Sequence, residues 1–109
     1  MKKKKYICPV CGYDRLEEPV YDEIGEPSFE ICSCCGVEFG FDDFDIKNLT
    51  FVTVREKWLK DGAKWFDKAA KPKNWNLEEQ LKNLQLPEVK NTIDDITRKY
   101  AEMYMKSKN

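Results

Sequence analysis

Five cysteines are the residues of this chain best equipped for chemistry, and four of them fall into two copies of one device. Cys8-Pro9-Val10-Cys11-Gly12 and Cys32-Ser33-Cys34-Cys35-Gly36 are separated by the twenty residues from Gly12 to Ile31. Two thiolates two positions apart can take one face of a tetrahedral ion. Two such pairs complete the closed four-sulfur shell of structural zinc, with Zn–S near ~2.3 Å. A glycine follows the second ligand of each pair, where the chain must turn back through positive φ at low cost. The sequence therefore predicts one metal ion, Zn²⁺, held by Cys8, Cys11, Cys32 and Cys35, with iron as the alternative. The chain contains no histidine, which excludes mixed Cys/His ligation and imidazole acid–base catalysis. A closed thiolate shell also leaves no place for the water that catalytic zinc activates. Together with the lack of a phosphate loop, dinucleotide fingerprint or nucleophile elbow, this points away from an enzyme. Cys34, between two ligands, reads first as an exposed spectator of the knuckle loop. The sharper reading makes it a redox-sensitive or substitute ligand.

The elements that must position these sulfurs are short. Tyr6-Ile7 and Phe29-Glu30-Ile31 lead into the two cysteine loops as β-type segments, and Val37-Glu38-Phe39-Gly40-Phe41 alternates as a half-buried strand does. Glu17-Glu18-Pro19 and Gly25-Glu26-Pro27 are turn signals, so the spacer is expected to be an ordered hairpin or loop. Asp42-Asp43-Phe44-Asp45 lacks the ligand pattern of a calcium loop and reads as a solvated exit. Beyond it, Phe51, Val54, Trp58, Gly62, Trp65 and Ala69 recur at helical steps, widened by Leu59 and Phe66. They predict one amphipathic helix, capped by Thr50 or by Thr53 with Glu56, and ended by Pro72. Gly62 within that helix suggests a close approach to a neighbouring element. Asn76 with Glu79 starts a second, short helix bearing Leu77, Leu81 and Leu84. Val89, Ile93, Ile96, Tyr100 and Met103 trace a narrow seam of about two heptads. That last helix either docks on the preceding ones, which is favoured, or pairs with a second copy as a homodimer. The expected fold is thus small α+β: an N-terminal zinc ribbon over residues 1–46, then two to three helices over 47–109 that pack on it, with 87–109 an extension. Trp58, Trp65 and Trp75 read as packing residues first and as partner-binding hot spots wherever they are exposed.

Composition narrows the function further. Across 109 residues, 36% charged and 13% aromatic side chains with a mean hydropathy of -0.71 describe a soluble chain with bulky core material. The opening MKKKK runs into YICPVCG without an apolar stretch, and no uncharged run is long enough for a bilayer, so a cytoplasmic location is expected. Reduced thiols there favour metal over disulfides. The net charge of -1 conceals a segregation. Four lysines fill positions 2–5, eleven acids face only Arg15 between Gly12 and Ile46, and fourteen bases face nine acids from Lys47 onward. A ribbon so acidic repels phosphate, so nucleic acid is disfavoured as a partner and another protein is expected.

Two resemblances carry these expectations into families. ICPVCGYD resembles the first knuckle of rubredoxin, an iron electron carrier, although the second loop lacks the proline of that family and carries an extra thiol. More broadly, YICPVCGYDRLEEPVYDEIGEPSFEICSCCGVEFGFDD, with REKWLKDGAKWF and WNLEEQLKNL after it, resembles small bacterial proteins related to the cysteine-rich CPCC family over about residues 6 to 84. That resemblance implies a zinc-ribbon-like, largely uncharacterised bacterial protein, some relatives of which are suspected of immunity roles beside polymorphic toxins. It places Cys8, Cys11, Cys32 and Cys35 at the family's ligand positions and Cys34 at its extra cysteine. Ser33 stands where relatives usually have proline, and the segment from Pro87 extends past the family's usual end.

Overall fold

A chain that must return its sulfurs to one point within a few residues cannot stay extended for long, and the two cysteine loops solve this in the same way. The computed structural model describes residues 4–22, 24, 26–40 and 50–90. In the first loop Tyr6 and Leu16 exchange both backbone hydrogen bonds (2.9 and 3.0 Å), the Cys8 N–H donates to the Tyr13 carbonyl, and the Gly12 N–H to the Cys8 carbonyl. The second loop repeats the last two bonds 24 positions on, the Cys32 N–H donating to Val37 and the Gly36 N–H to Cys32, while its bridge pairs Ile31 with Glu38 in a shifted register. Gly12 and Gly36 sit at φ 86° and 80°, where a Cβ would be strained. The β-type segments are real but minimal. They amount to the single antiparallel bridges Tyr6–Leu16, Tyr21–Pro27 and Ile31–Glu38 among the described residues. Phe29, expected to be extended, has φ 59° and interrupts the approach to the second loop.

The acidic spacer is an ordered hairpin. Asp22 Oδ1 accepts the N–H groups of Ile24 and Glu26, the Asp22 N–H donates to the Glu26 carbonyl, and Ser28 returns to Val20. This is the turn-forming habit of a short carboxylate that satisfies its own downstream backbone. At the hairpin base both Glu30 oxygens accept backbone N–H groups, from Glu17 at 2.9 Å and Glu18 at 3.0 Å.

The helical half corrects the sequence reading. Helix α1 spans Thr50–Lys60 and does not continue to Ala69. It ends because Gly62 (φ 100°) and Ala63 (φ 51°) turn left-handed, with the Ala63 N–H bonded to Trp58 O and the Gly62 N–H to Leu59 O, a Schellman closure. Gly62 is thus a helix terminator. Among the described residues a Cβ there would meet only the Lys64 side chain, at 3.8 Å, so no neighbouring element among them approaches it closely. Thr53 lies inside α1, so the helix does not start on its capping box. Leu59 and Phe66 point to solvent and do not widen the buried stripe, which consists of Phe51, Trp58 and half-buried Val54. Pro72 consequently follows a 3-10 turn at Lys68–Ala70 capped by Asp67. Helix α2, Leu77–Lys82, starts as expected: Asn76 Oδ1 accepts the Glu79 N–H at 3.0 Å. It tightens into a 3-10 turn at Asn83–Gln85. Residues 87–90 are again helical, with Val89 buried. The heptad seam from Ile93, its docking or pairing, and the Asp42–Asp45 cluster lie outside the described residues.

A single apolar cluster joins both halves. Val10, Leu16, Val37 and Phe39 from the cysteine loops pack with Phe51, Trp58, Ala63 and Trp65 around the cysteines themselves.

Candidate metal centre

The Sγ atoms of Cys8, Cys11, Cys32 and Cys35 lie within 4.8 Å of one another. Two of the separations cross between the loops, Cys8 to Cys35 at 3.8 Å and Cys11 to Cys32 at 3.7 Å. A disulfide would need about 2.05 Å, and all five cysteines are free thiols. A tetrahedron of sulfurs around an ion at ~2.3 Å has edges of about 3.8 Å, so the quartet has the dimensions of a metal cage. Four cysteines are close enough here to hold one metal ion. Cys8, Cys11 and Cys32 are fully buried and Cys35 partly so. A closed four-sulfur shell of this kind is consistent with a structural metal site.

Electrostatics favour a cation. Burial pushes the Cys8 and Cys11 thiols well above the ordinary thiol range. Hydrogen bonds from Cys11, Cys35 and Cys8 hold Cys32 far below it, and those from Cys11 and Gln80 lower Cys34. A divalent ion removes the repulsion that forbids four thiolates at this distance.

The helical half grips the cage through its backbone. From α1, Arg55 Nε donates to Val10 O at 2.6 Å and its second nitrogen to Pro9 O at 2.8 Å. From α2, Gln80 Nε2 donates to Cys11 O at 3.0 Å and lies 3.3 Å from Cys34 Sγ, while Asn83 Nδ2 donates to Gly12 O at 2.9 Å. The N–H groups of Phe66 and Asp67 bond to Cys34 O and Ser33 O, both at 2.9 Å. Sequence reasoning missed Arg55, Gln80 and Asn83. A signal existed: Arg55 shares a helix face with Phe51, Val54 and Trp58, as Gln80 does with Leu77, Leu81 and Leu84. A polar residue on an apolar stripe has a buried partner to find.

Cys34, expected from the sequence to be exposed, is completely buried beside Cys11 and Gln80, outside the set of four sulfurs that lie within 4.8 Å of one another. Trp58 and Trp65 are 7% and 6% exposed, so neither ring faces solvent; Trp75 is half-buried. Trp65 stacks edge-on between Tyr13 (5.7 Å) and Trp75 (5.5 Å). Trp58 Nε1 donates to Lys64 O, and Trp75 Nε1 to Gln80 Oε1, so the tryptophans brace the elements that touch the cage. No helix among the described residues is long and apolar enough to cross a membrane.

Comparison with known proteins yields two relatives. YoaQ of Bacillus subtilis (strain 168) is 35% identical over 75 residues, covering 57% of this chain and 64% of YoaQ. YozI of the same organism is 29% identical over 94 residues, covering 73% of each. Both carry the description of uncharacterised proteins. This chain thus matches less than two thirds of the length of YoaQ. No family model matches the sequence, and no solved structure matches the chain.

Proposed function

We propose that this chain is a non-enzymatic, cytoplasmic zinc-binding protein in which the ion is structural and the surface serves protein recognition. The observation that carries the reading is the buried cage of four sulfurs with edges of 3.7 and 3.8 Å. Zinc suits a closed shell of four thiolates with no preference imposed by d-electrons. The two matching loops, each closed by a left-handed glycine, support a ribbon of two knuckles under a helical cap. The resemblance to the CPCC-related bacterial proteins points the same way and brings an immunity or adaptor role within the proposal. Metal analysis of protein purified from its native host tests it. One zinc per chain is expected; one iron with a red colour would replace zinc by a rubredoxin-like electron carrier. A folded chain holding no metal ends the reading.

Protein recognition is supported by the acidic hairpin, which exposes Ile24 (78%) and Phe29 (58%) instead of burying them. Phe29 holds φ 59°, a conformation that costs a bulky residue about 1–2 kcal/mol, and its ring lies against the Gly40 backbone beside Pro27. Apolar side chains amid carboxylates suit a partner with basic and apolar groups, and the same carboxylates oppose nucleic acid. A photo-crosslinking residue at position 29 should trap one partner species in the native host, and the Ile24→Ser change should abolish it. Capture that ignores Ile24→Ser counts against this surface.

A further inference from the structure

Peptide carbonyls on a tight loop around sulfur cannot all be satisfied within the loop, and buried ones need donors from elsewhere. In both cysteine loops the donors come from the helical half. The carbonyls of Pro9, Val10, Cys11 and Gly12 accept from Arg55, Arg55, Gln80 and Asn83 in turn, and those of Ser33 and Cys34 from the N–H groups of Asp67 and Phe66. Gln80 also reaches Cys34 Sγ and so touches both loops at once. Every one of these seven bonds ends at a quartet cysteine or at a residue adjacent to one. The directions of those carbonyls are fixed only while the loops stay wrapped around the sulfurs.

Besides this grip, the helical half is held by Phe51, Trp58, Ala63 and Trp65, which are buried in the cluster shared with the cysteine loops. Helix α2 has six residues, none of them fully buried, and α1 has eleven, of which Phe51 and Trp58 are buried in the cluster shared with the cysteines. Helices so short are marginal in water without tertiary contacts.

We propose that metal occupancy and docking of the helical half are one coupled equilibrium: the ion aims the loop carbonyls at Arg55, Gln80, Asn83, Phe66 and Asp67, and the docked helices in turn hold the ligands. The inference rests on the metal reading above. Loss of the ion releases α1 and α2 and uncovers the Trp65 face, so the state of the cage is displayed on the surface. Because linkage is reciprocal, the factor by which the ion favours docking is the factor by which docking favours the ion, so with the stripped chain undocked a weaker docking bond lowers metal affinity.

Hydrogen exchange on the full-length chain, zinc-loaded and chelator-stripped, reads the first direction. Amides of 50–60 and 77–82 should lose at least about tenfold in protection on stripping. Competition with a zinc chelator reads the second. Asn83→Ala should weaken zinc about fivefold for its one lost bond, and Arg55→Met by more for its two. Arg55→Lys, which keeps the charge but not the fork, should fall between wild type and Arg55→Met. Lys57→Ala, on the exposed face of α1, should leave affinity unchanged. A chain that binds zinc yet keeps its helix protection when stripped overturns the coupling, as do Asn83→Ala and Arg55→Met variants with wild-type affinity. A chain that takes up no zinc fails at the metal reading itself, and the two failures are distinct.

Discussion

Replacing either left-handed glycine by alanine should separate local strain from loss of docking. Gly12 and Gly36 have nearly equal φ, 86° and 80°, so each alanine bears the same left-handed cost of about 1–2 kcal/mol. What a new Cβ meets differs. At position 12 it would stand 2.2 Å from the backbone oxygen of Gln80; at position 36 it would stand 2.9 Å from Cδ1 of the Phe66 ring. Phe66 is 63% exposed and can swing aside, whereas the oxygen belongs to α2 and moves only with it. Restoring ordinary contact requires α2 to retreat by about 1 Å, which stretches the Gln80 to Cys11 bond (3.0 Å) and the Asn83 to Gly12 bond (2.9 Å) beyond useful range. Two bonds at roughly 1 kcal/mol each bring Gly12→Ala to about 3–4 kcal/mol, against about 1–2 for Gly36→Ala. For a domain near this size the gap of about 2 kcal/mol corresponds to roughly 8–16 °C in Tm. Thermal melts at one fixed free-zinc concentration, which removes mass-action differences, provide the comparison. Equal destabilisation by the two alanines, or a Gly12→Ala cost no larger than the left-handed cost, would refute this account of how α2 sits on the first loop.

Four further outcomes follow from the same geometry. Zinc binds thiolates and burial raises the Cys8 and Cys11 thiols above the ordinary range, so binding should release protons and zinc affinity should rise with pH through neutrality, measurable by calorimetry in buffers of different ionisation heat. Among the described residues Trp65 Nε1 is buried without a hydrogen-bond partner and Trp58 Nε1 has one, so Trp65→Phe should destabilise less than Trp58→Phe in urea melts. Asn76→Ala, which removes the cap of α2, should cost about 1 kcal/mol by the same method. Cys34→Ser should still bind one metal per chain, with loss of peroxide-driven metal release marking Cys34 as a redox participant and unchanged release marking it as a spectator.

The cysteine site was the most legible part of the chain because ligand spacing is local: two residues between sulfurs and a glycine after them describe a loop complete in itself. The cap at Asn76 was legible for the same reason. The end of α1 was not, because Trp65 continues the helical period while being buried from a non-helical segment. Periodicity records which residues are buried, not which backbone conformation buries them. Gly62 carried the decisive information, yet a glycine inside an apolar stripe suits a packing contact and a Schellman turn equally well. The strands shrank to single bridges because alternation in Phe29-Glu30-Ile31 takes no account of a left-handed Phe29. The clamp on the cage depends on contacts between residues 45 to 71 positions apart, which no local pattern encodes.

The matching loops give the cage an approximate twofold character, with the first sulfur of each loop set against the second sulfur of the other. The helical half breaks that equivalence. Two side-chain clamps, Arg55 and Asn83, close on the first loop alone, and Cys35 is left as the ligand with a face toward solvent. For an ion held in this cage, the exposed edge of Cys35 is the expected entry for a chelator or an electrophile, ahead of the buried Cys8 and Cys11.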